Sequence, residues 1–88
     1  METSTRIAAI SIIVEQAEST EELNRIIHEY SDYIVGRMGI PYRQKKISII
    51  SLVVDAPQNV ISAFSGKIGR LEGITAKIAY AKVSQSCE

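Results

Sequence analysis

Apolar runs and amphipathic stretches alternate along the chain, and each pattern predicts a different element. Residues 6–14 are mostly apolar, rich in β-branched side chains and too few for a stable helix, so they predict a strand. Ser19 and Glu22 have the spacing of a capping box, which predicts that a helix begins with Ser19 as its N-cap. Its apolar face comprises Leu23, Ile26, Ile27 and Tyr30. The first third of the chain is therefore predicted to form a strand and an amphipathic helix.

Two further strands are predicted in the middle of the chain. Residues 32–40 form the weaker candidate, because Gly36 and Gly39 are typical of an edge strand, a bulge or a close backbone approach. A turn at residues 41–45 precedes residues 46–54, the clearest strand pattern in the sequence. These two segments are predicted to form a hairpin.

A second helix and a last strand follow the hairpin. Asp55-Ala56-Pro57 predicts the helix start, since a proline in the first turn loses no hydrogen bond. The predicted buried face of this helix consists of Val60, Ile61, Phe64, Ile68 and Leu71. Gly73 ends the segment, residues 74–83 alternate as a strand, and residues 84–88 form a polar tail.

The resulting order, β-α-β-β-α-β, predicts an α+β fold of the ferredoxin-like type. Short connections and right-handed crossovers arrange such a chain as a two-layer sandwich, a four-stranded antiparallel sheet with both helices on one face. The first and third strands are central in that topology, and they are also the two most apolar strands here. The 88 residues are predicted to form one domain, 1–88, with an ordered core at about 6–83.

Both faces of the two central strands are apolar, although a sheet covered on one face should alternate apolar and polar residues. One set comprises Ile10, Ile12, Val14, Ile50, Leu52 and Val54, and the other comprises Ile7, Ala9, Ser11, Ile13, Ile47, Ile49, Ser51 and Val53. Whichever set packs on the helices, the other leaves an apolar patch of the kind that marks an interface or a ligand groove. We expect a homodimer or higher homo-oligomer, and the alternative is a patch that is simply tolerated in water. The expected interface residues are Ala9, Ser11, Ile49, Ser51 and Val53.

The outer face of the second helix carries small residues where long polar side chains are usual. These residues are Ser62, Ser65, Gly66 and Gly69. An interior glycine weakens a helix by up to ~1 kcal/mol relative to alanine. Either another group approaches this backbone closely, or the helix frays after Ser65.

Charge is balanced overall but unevenly distributed. Ten Lys and Arg residues equal ten Asp and Glu residues, so no net basic charge attracts nucleic acid or anionic lipid. Residues 1–32 have two bases and seven acids, a net charge of −5, whereas residues 33–82 have eight bases and two acids, a net charge of +6. The two regions are either differently charged solvent faces or an acidic surface that meets a basic one on another chain.

The sequence predicts neither a membrane span nor a secretory signal. The longest apolar run, residues 7–14, is far shorter than the ~20 residues that a spanning helix needs. Residues 1–6 lack the basic stretch and apolar core of a signal peptide. We therefore expect a cytoplasmic protein with no membrane partner.

Residues able to carry out catalysis or bind a metal are sparse. His28, the single histidine, is predicted to be exposed and has no converging donors for a metal. Cys87, the single cysteine, lies in the tail without a second thiol or a nearby histidine. We expect no enzyme activity, no catalytic residue, no cofactor and no metal.

Two charged clusters remain. Glu15, Glu18, Glu21 and Glu22 form an acidic cluster at the predicted start of the first helix. A helix N-terminus favours negative charge, which explains their position, and a cation site is the less favoured alternative. The hairpin tip is basic and comprises Arg37, Arg43, Lys45 and Lys46 together with Tyr42. Such a tip could hold an anion, but without aromatic platforms on the strands it is a weak signal for nucleic acid.

Three short motifs resemble one known family. Arg37-Met38-Gly39-Ile40-Pro41, Ser65-Gly66-Lys67-Ile68-Gly69 and Gly73-Ile74 resemble the small proposed regulators associated with iron-only hydrogenase systems, over roughly residues 6–83. The resemblance implies an ACT-like, ferredoxin-like domain that forms homo-oligomers and is related in fold to the C-terminal domain of nickel-responsive repressors. A nickel site is not implied, because this chain has one histidine and one remote cysteine.

The resemblance also implies a function and a place for an effector. ACT-like domains take up small effectors where subunits meet, near loop-to-helix junctions, which makes Ser65, Gly66, Lys67 and Gly69 the candidate ligand-binding residues. The implied protein is a homo-oligomeric regulator that binds an unknown small effector or a hydrogenase-system protein. The alternatives are a non-enzymatic adaptor for assembling a metalloenzyme and, less favoured, a DNA-binding regulator. Only five residues precede Arg6, too few for a ribbon-helix-helix arm.

Overall fold

The computed structural model describes residues 4–82 and confirms the predicted β-α-β-β-α-β order. The strands are β1 (Arg6–Val14), β2 (Ile34–Tyr42), β3 (Ile47–Ala56) and β4 (Ile74–Tyr80), and the helices are α1 (Thr20–Glu29) and α2 (Gln58–Gly69). Short 3-10 turns at Ala17–Ser19, Ser31–Tyr33 and Arg43–Lys45 join some of them. The predicted polar tail at 84–88 lies outside the described residues.

The four strands form one antiparallel sheet in the order β2-β3-β1-β4. The two most apolar strands are therefore central, as predicted, and β2 and β4 are the edges. In register, Ile10 lies opposite Leu52 on one side and Ile78 on the other. Both helices pack on the face that carries these three residues. The fold is a ferredoxin-like two-layer sandwich.

The hydrophobic core lies between this face and the helices. Its buried strand residues are Ala8, Ile10, Ile12, Val14, Ile50, Leu52, Val54 and Ala56, and its buried helix residues are Leu23, Ile26, Ile27, Ile61, Phe64 and Ile68. The Tyr30 ring stacks on Phe64 with 4.6 Å between the ring centroids, which joins α1 to α2. Burial of each large aliphatic or aromatic side chain contributes about 1.5–3 kcal/mol. Of the two apolar sets, the one that contains Ile10 and Leu52 is therefore the set that packs on the helices.

Several predicted boundaries shift by a few residues. β2 begins at Ile34 instead of 32, because the preceding residues form a 3-10 turn. Pro41 lies within β2, where an edge strand tolerates a missing N–H. Asp55 and Ala56 extend β3, so Pro57 is the N-cap residue of α2 and not part of its first turn. Two amides of that turn donate hydrogen bonds to the Pro57 carbonyl.

The predicted capping box at Ser19 is wrong in its contacts. Ser19 is the N-cap residue of α1, but its side chain makes no capping hydrogen bond. The Ser19 hydroxyl instead donates a 2.7 Å hydrogen bond to the Glu72 carbonyl oxygen. Glu22 accepts hydrogen bonds from Arg25, one helical turn onward, and does not reach back to Ser19. The residue pattern located the helix start correctly while the side chains serve other partners.

Two irregularities shape the β2–β3 hairpin. The register between β2 and β3 shifts between Ile34 and Gly36, and this irregularity of the bulge type, one of the three alternatives for the glycines, lies on an edge strand. At the hairpin end, Lys46 adopts the left-handed conformation with φ 58°, and its N–H bonds to the Arg43 carbonyl at 3.1 Å. The hairpin therefore turns without a glycine.

Candidate functional site

The face of the sheet that the helices leave uncovered, named here the open face, is the broadest candidate surface. In register, Ala9 lies opposite Val53, Ser11 opposite Ser51, and Ile13 opposite Ile49. Because residues directly opposite each other in an antiparallel pair share one face, these side chains lie together. The five residues predicted to form an interface, Ala9, Ser11, Ile49, Ser51 and Val53, are all brought onto the open face.

The edge strand β2 extends the apolar part of the open face, which the sequence analysis missed. Met38 lies opposite Ser51, Ile40 opposite Ile49 and Tyr42 opposite Ile47. Their side chains are 57%, 49% and 43% exposed, respectively. Alternation of Met38, Ile40 and Tyr42 along β2 was the available signal, but its alignment with β3 depends on the bulge. The open face is consequently apolar over three adjacent strands.

Polar groups on the open face are few and lie toward its middle and margins. Ser11 and Ser51 form a hydroxyl pair across the two central strands. Lys77 of β4 lies opposite Ser11, and Asp55 of β3 lies opposite Ile7. Among the paired strand residues of this face, Lys77 and Asp55 are the charged ones. One charge of each sign leaves the face close to neutral.

The predicted ligand-binding residues lie on α2, in the opposite layer of the molecule. The helix continues through Gly66 and ends at Gly69, so it does not fray after Ser65. A Cβ atom added at Gly66 or Gly69 would meet nothing within 4 Å, so the space beside both glycines is open. The structure therefore keeps Ser65, Gly66, Lys67 and Gly69 on one helix but does not bring them near the open face.

Lys67 is the charged residue of this segment, and it contacts α1. Its ammonium lies 3.4 Å from the Glu29 carboxylate and 5.1 Å from the centroid of the Tyr30 ring. A hydrogen bond with Tyr30, assisted by the negative charge of Glu29, raises the pKa of Lys67, and desolvation opposes the rise. This lysine thus links the two helices at their exposed rim.

Three of the four acids of the predicted cluster share a depression at the start of α1 with the histidine, and Glu15 is not part of its lining. The depression has a volume of about 660 Å³ and is lined by Glu18, Glu21, Glu22, Asn24, Arg25 and His28. A hydrogen bond from Arg25 lowers the pKa of Glu22, so this acid already has a cationic partner. His28 is exposed, as predicted. Within residues 4–82, no group of three or more His, Cys, Asp or Glu side chains could hold a metal ion, and Cys87 lies outside that range.

The structure divides the predicted basic hairpin tip into two parts. Arg37 lies on the helix-facing side of β2 and donates a 3.0 Å hydrogen bond to Asn24 of α1. Arg43 and Lys46 line a pocket at the end of the hairpin together with Tyr42, whereas Lys45 is not part of its lining. The proposed tip of four basic residues is therefore reduced to two that share a concave surface.

Comparison with known proteins places the chain within a described group. Residues 6–78 match the TM1266-like family, whose members are described as proposed iron-only hydrogenase system regulators. The chain is also similar to the solved structure of the uncharacterized protein TM1266 from Thermotoga maritima, at 30% identity and a TM-score of 0.85. That match covers 89% of this chain and 99% of the other. No curated protein matches the chain.

A second solved structure is similar in fold. A formyltetrahydrofolate deformylase from Pseudomonas putida KT2440 matches at 12% identity and a TM-score of 0.59, over 82% of this chain and 28% of that one. At this identity the likeness shows the fold alone. Within the described residues, neither helix is long and apolar enough to cross a membrane.

Proposed function

Since the chain belongs to the TM1266-like family, whose members are described as proposed iron-only hydrogenase system regulators, we propose that it is a cytoplasmic regulatory protein that acts by binding and not by catalysis. Its working form is a homo-oligomer with an ACT-like arrangement. The family match supports the regulatory role. The open face supports the assembly, because its apolar side chains have no partner within the described chain.

The exposed apolar area of the open face is the observation that carries this proposal. Met38, Ile40 and Val53 are 57%, 49% and 39% exposed, and they lie on adjacent strands. Soluble monomers seldom leave a contiguous apolar patch of this kind in water. A small domain also buries a limited core, and association increases the buried apolar area. We assign a second copy of this chain as the occupant of the open face.

The charges on the open face are compatible with a second copy of the chain as its partner. A two-fold contact places the same face against itself, so each charged group needs its complement on that face. Asp55 and Lys77 provide one acid and one base on different strands. Asp55 of each copy can therefore pair with Lys77 of the other, while the apolar side chains of the two open faces pack between these ion pairs.

A substitution at the centre of the open face tests the assembly. Ile49→Lys would bury a charge at the contact, so we expect a shift from oligomer to monomer or aggregate in sedimentation velocity. The matched control is Asn59→Lys, which adds the same charge at an exposed position on α2. A wild-type protein that sediments as a stable monomer at micromolar concentration contradicts this proposal.

The α2 segment is the proposed contact for an effector or partner. Gly66 and Gly69 leave room for close backbone approach, and Lys67 supplies a cation beside them. A thermal-shift screen of metabolites on the purified protein would find an effector. We expect both Gly66→Ala and Lys67→Ala to weaken its binding, with Asn59→Ala as the control on the same helix. Unchanged binding in both variants removes this segment from the functional account.

A further inference from the structure

A pocket lies at the end of the β2–β3 hairpin, and the proposed function gives this pocket no role. This turn pocket has a volume of about 180 Å³. It is lined by the end of β1, the following connection and the start of α1 (Val14, Ala17 and Thr20), and by hairpin residues Pro41, Tyr42, Arg43, Lys46, Ile47 and Ser48. The pocket is therefore built where two connections of the same chain meet at one end of the sheet.

The lining of the turn pocket has an apolar part and a basic part. Ala17 and Pro41 contribute exposed apolar surface, while Arg43 and Lys46 contribute two positive charges. No acidic residue is among the lining residues. The nearby acids Glu18, in the 3-10 turn before α1, and Glu21, in α1, line the separate depression beside Arg25.

Neither cation of the turn pocket is neutralised by a neighbouring side chain. The salt bridges found within residues 4–82 join Arg25 to Glu22 and Lys67 to Glu29, and neither involves Arg43 or Lys46. Two like charges that share a concave surface without a counter-charge attract an anion, and arginine can bind a carboxylate or phosphate through two parallel hydrogen bonds. The charge pattern therefore selects an anionic ligand.

The backbone at Lys46 supplies an independent indication. Lys46 has φ 58°, a backbone conformation that residues other than glycine and asparagine seldom adopt. A glycine here would relieve that conformational cost, yet the residue is a lysine that lines the pocket. Residues held in such conformations concentrate at ligand-binding sites. We read the lysine as placed for its charge.

We propose that the turn pocket binds a small organic anion. Arg43 and Lys46 hold its carboxylate or phosphate group, and its short apolar part packs on Ala17 and Pro41. The pocket is smaller than the about 300–1,000 Å³ typical of sites for larger organic ligands, so the apolar part has only a few carbon atoms. This site is separate from the α2 segment and requires no second copy of the chain.

Titration of the ¹⁵N-labelled 88-residue chain with defined probes tests the proposal. Butyrate and methyl phosphate supply the two anionic groups with a short apolar part, and butylammonium supplies the same part with the opposite charge. We expect saturable shifts at the amides of Thr20, Arg43 and Lys46 with at least one anion and none with butylammonium. The anion that binds with the higher affinity identifies the ligand as a carboxylate or a phosphate. Absence of saturable shifts with both anions, or equal binding of butylammonium, overturns the proposal.

Variants separate specific binding from general attraction of anions. Lys46→Gly keeps the left-handed turn while removing the ammonium, and Arg43→Gln removes the guanidinium. Each should weaken anion binding at least about tenfold, because a charge-assisted hydrogen bond is lost. Lys45→Gln removes an adjacent charge that is not in the lining, so the affinity of this variant for the anion should match that of wild type. Equal weakening by all three variants overturns the proposal.

The assembly and the turn pocket fail independently. Tyr42 and Ile47 border both the open face and the pocket, but all lining residues come from one chain. Folded Ile49→Lys protein should therefore still bind the anion with wild-type affinity, whatever its sedimentation shows. Loss of anion binding in that folded variant overturns the proposal that one chain supplies the complete pocket.

Discussion

Gly73 and Gln16 pack against each other where β4 begins. Gly73 has φ +71°, and a Cβ atom added there would lie 2.7 Å from the Gln16 Cβ atom and closer still to Cγ. The Gly73 carbonyl also accepts a 2.7 Å hydrogen bond from the Glu15 amide. The connection after β1 and the entry to β4 therefore meet at a position that only glycine fills without strain.

Gly73→Ala is expected to lower the free energy of unfolding by about 1–3 kcal/mol, because the left-handed backbone is unfavourable for alanine and Gln16 must move. Chemical denaturation monitored by circular dichroism measures the change. Gly66→Ala is the control, since its methyl group meets open space on a helix and should raise stability by up to ~1 kcal/mol. A neutral Gly73→Ala variant would contradict the packing described for this turn.

Adjacent residues of β3 test which face of the sheet is the core. Leu52 is fully buried, whereas its neighbour Val53 is 39% exposed on the open face. Leu52→Ala should cost about 2–5 kcal/mol at any protein concentration. Val53→Ala should cost less than about 1 kcal/mol in dilute protein and should weaken association at higher concentration. Equal costs at low concentration would contradict the assignment of faces.

Much of the fold could be predicted from local pattern. The β-branched run at 6–14 has the same bounds as β1. The β-α-β-β-α-β order correctly predicted that β1 and β3 are central, in agreement with their apolar content. The paired residues of the open face followed from the two-residue period of strands. Which face the helices cover could not be predicted, because both alternating sets are apolar and only the attachment of α1 and α2 distinguishes them.

The remaining differences arise from contacts between residues distant in sequence or from backbone conformation. The Ser19 hydroxyl bonds to Glu72, 53 residues away, so a local capping motif could not predict it. The shift after Ile34 sets which β2 side chains join the open face. Lys46 turns the chain with a positive φ although neither glycine nor asparagine marks the position. The sequence indicates that a basic tip with Arg43 and Lys46 could hold an anion, but the pocket itself depends on that turn and so could not be predicted.

The hydrogen bond of Ser19 provides a test that distinguishes donor from cap. In the structure the hydroxyl donates to the Glu72 carbonyl oxygen, so Ser19→Ala should cost about 0.5–1.5 kcal/mol. Aspartate is a good N-cap but cannot donate when ionised, so Ser19→Asp should destabilise at least as much as Ser19→Ala at neutral pH. Ser19→Thr keeps the donor and should be close to wild type. Full stability of Ser19→Asp would restore the capping interpretation.

The Lys67 contact with α1 predicts a stability difference that depends on pH. Its ammonium lies 3.4 Å from the Glu29 carboxylate, and a hydrogen bond with Tyr30, together with this carboxylate, raises the pKa of Lys67 in the folded protein. A raised folded pKa means that the charged form stabilises the fold below the unfolded pKa and that this contribution is lost as pH rises through the folded pKa. Wild type should therefore be more stable than Lys67→Gln at neutral pH, with the difference disappearing at strongly alkaline pH.

Tyr30→Phe isolates the cause of this pH dependence. The phenylalanine ring can still stack on Phe64 as Tyr30 does, but it lacks the hydroxyl that is the largest cause of the raised pKa of Lys67. The pKa of Lys67, followed by NMR of its ¹³C-labelled side chain, should fall toward the usual range of a lysine. Glu29→Gln should lower that pKa less, because the hydrogen bond with Tyr30 is the largest contribution and the carboxylate is exposed to solvent that screens its charge. A larger decrease in Glu29→Gln than in Tyr30→Phe would show that charge attraction, and not the tyrosine hydroxyl, holds Lys67 against α1.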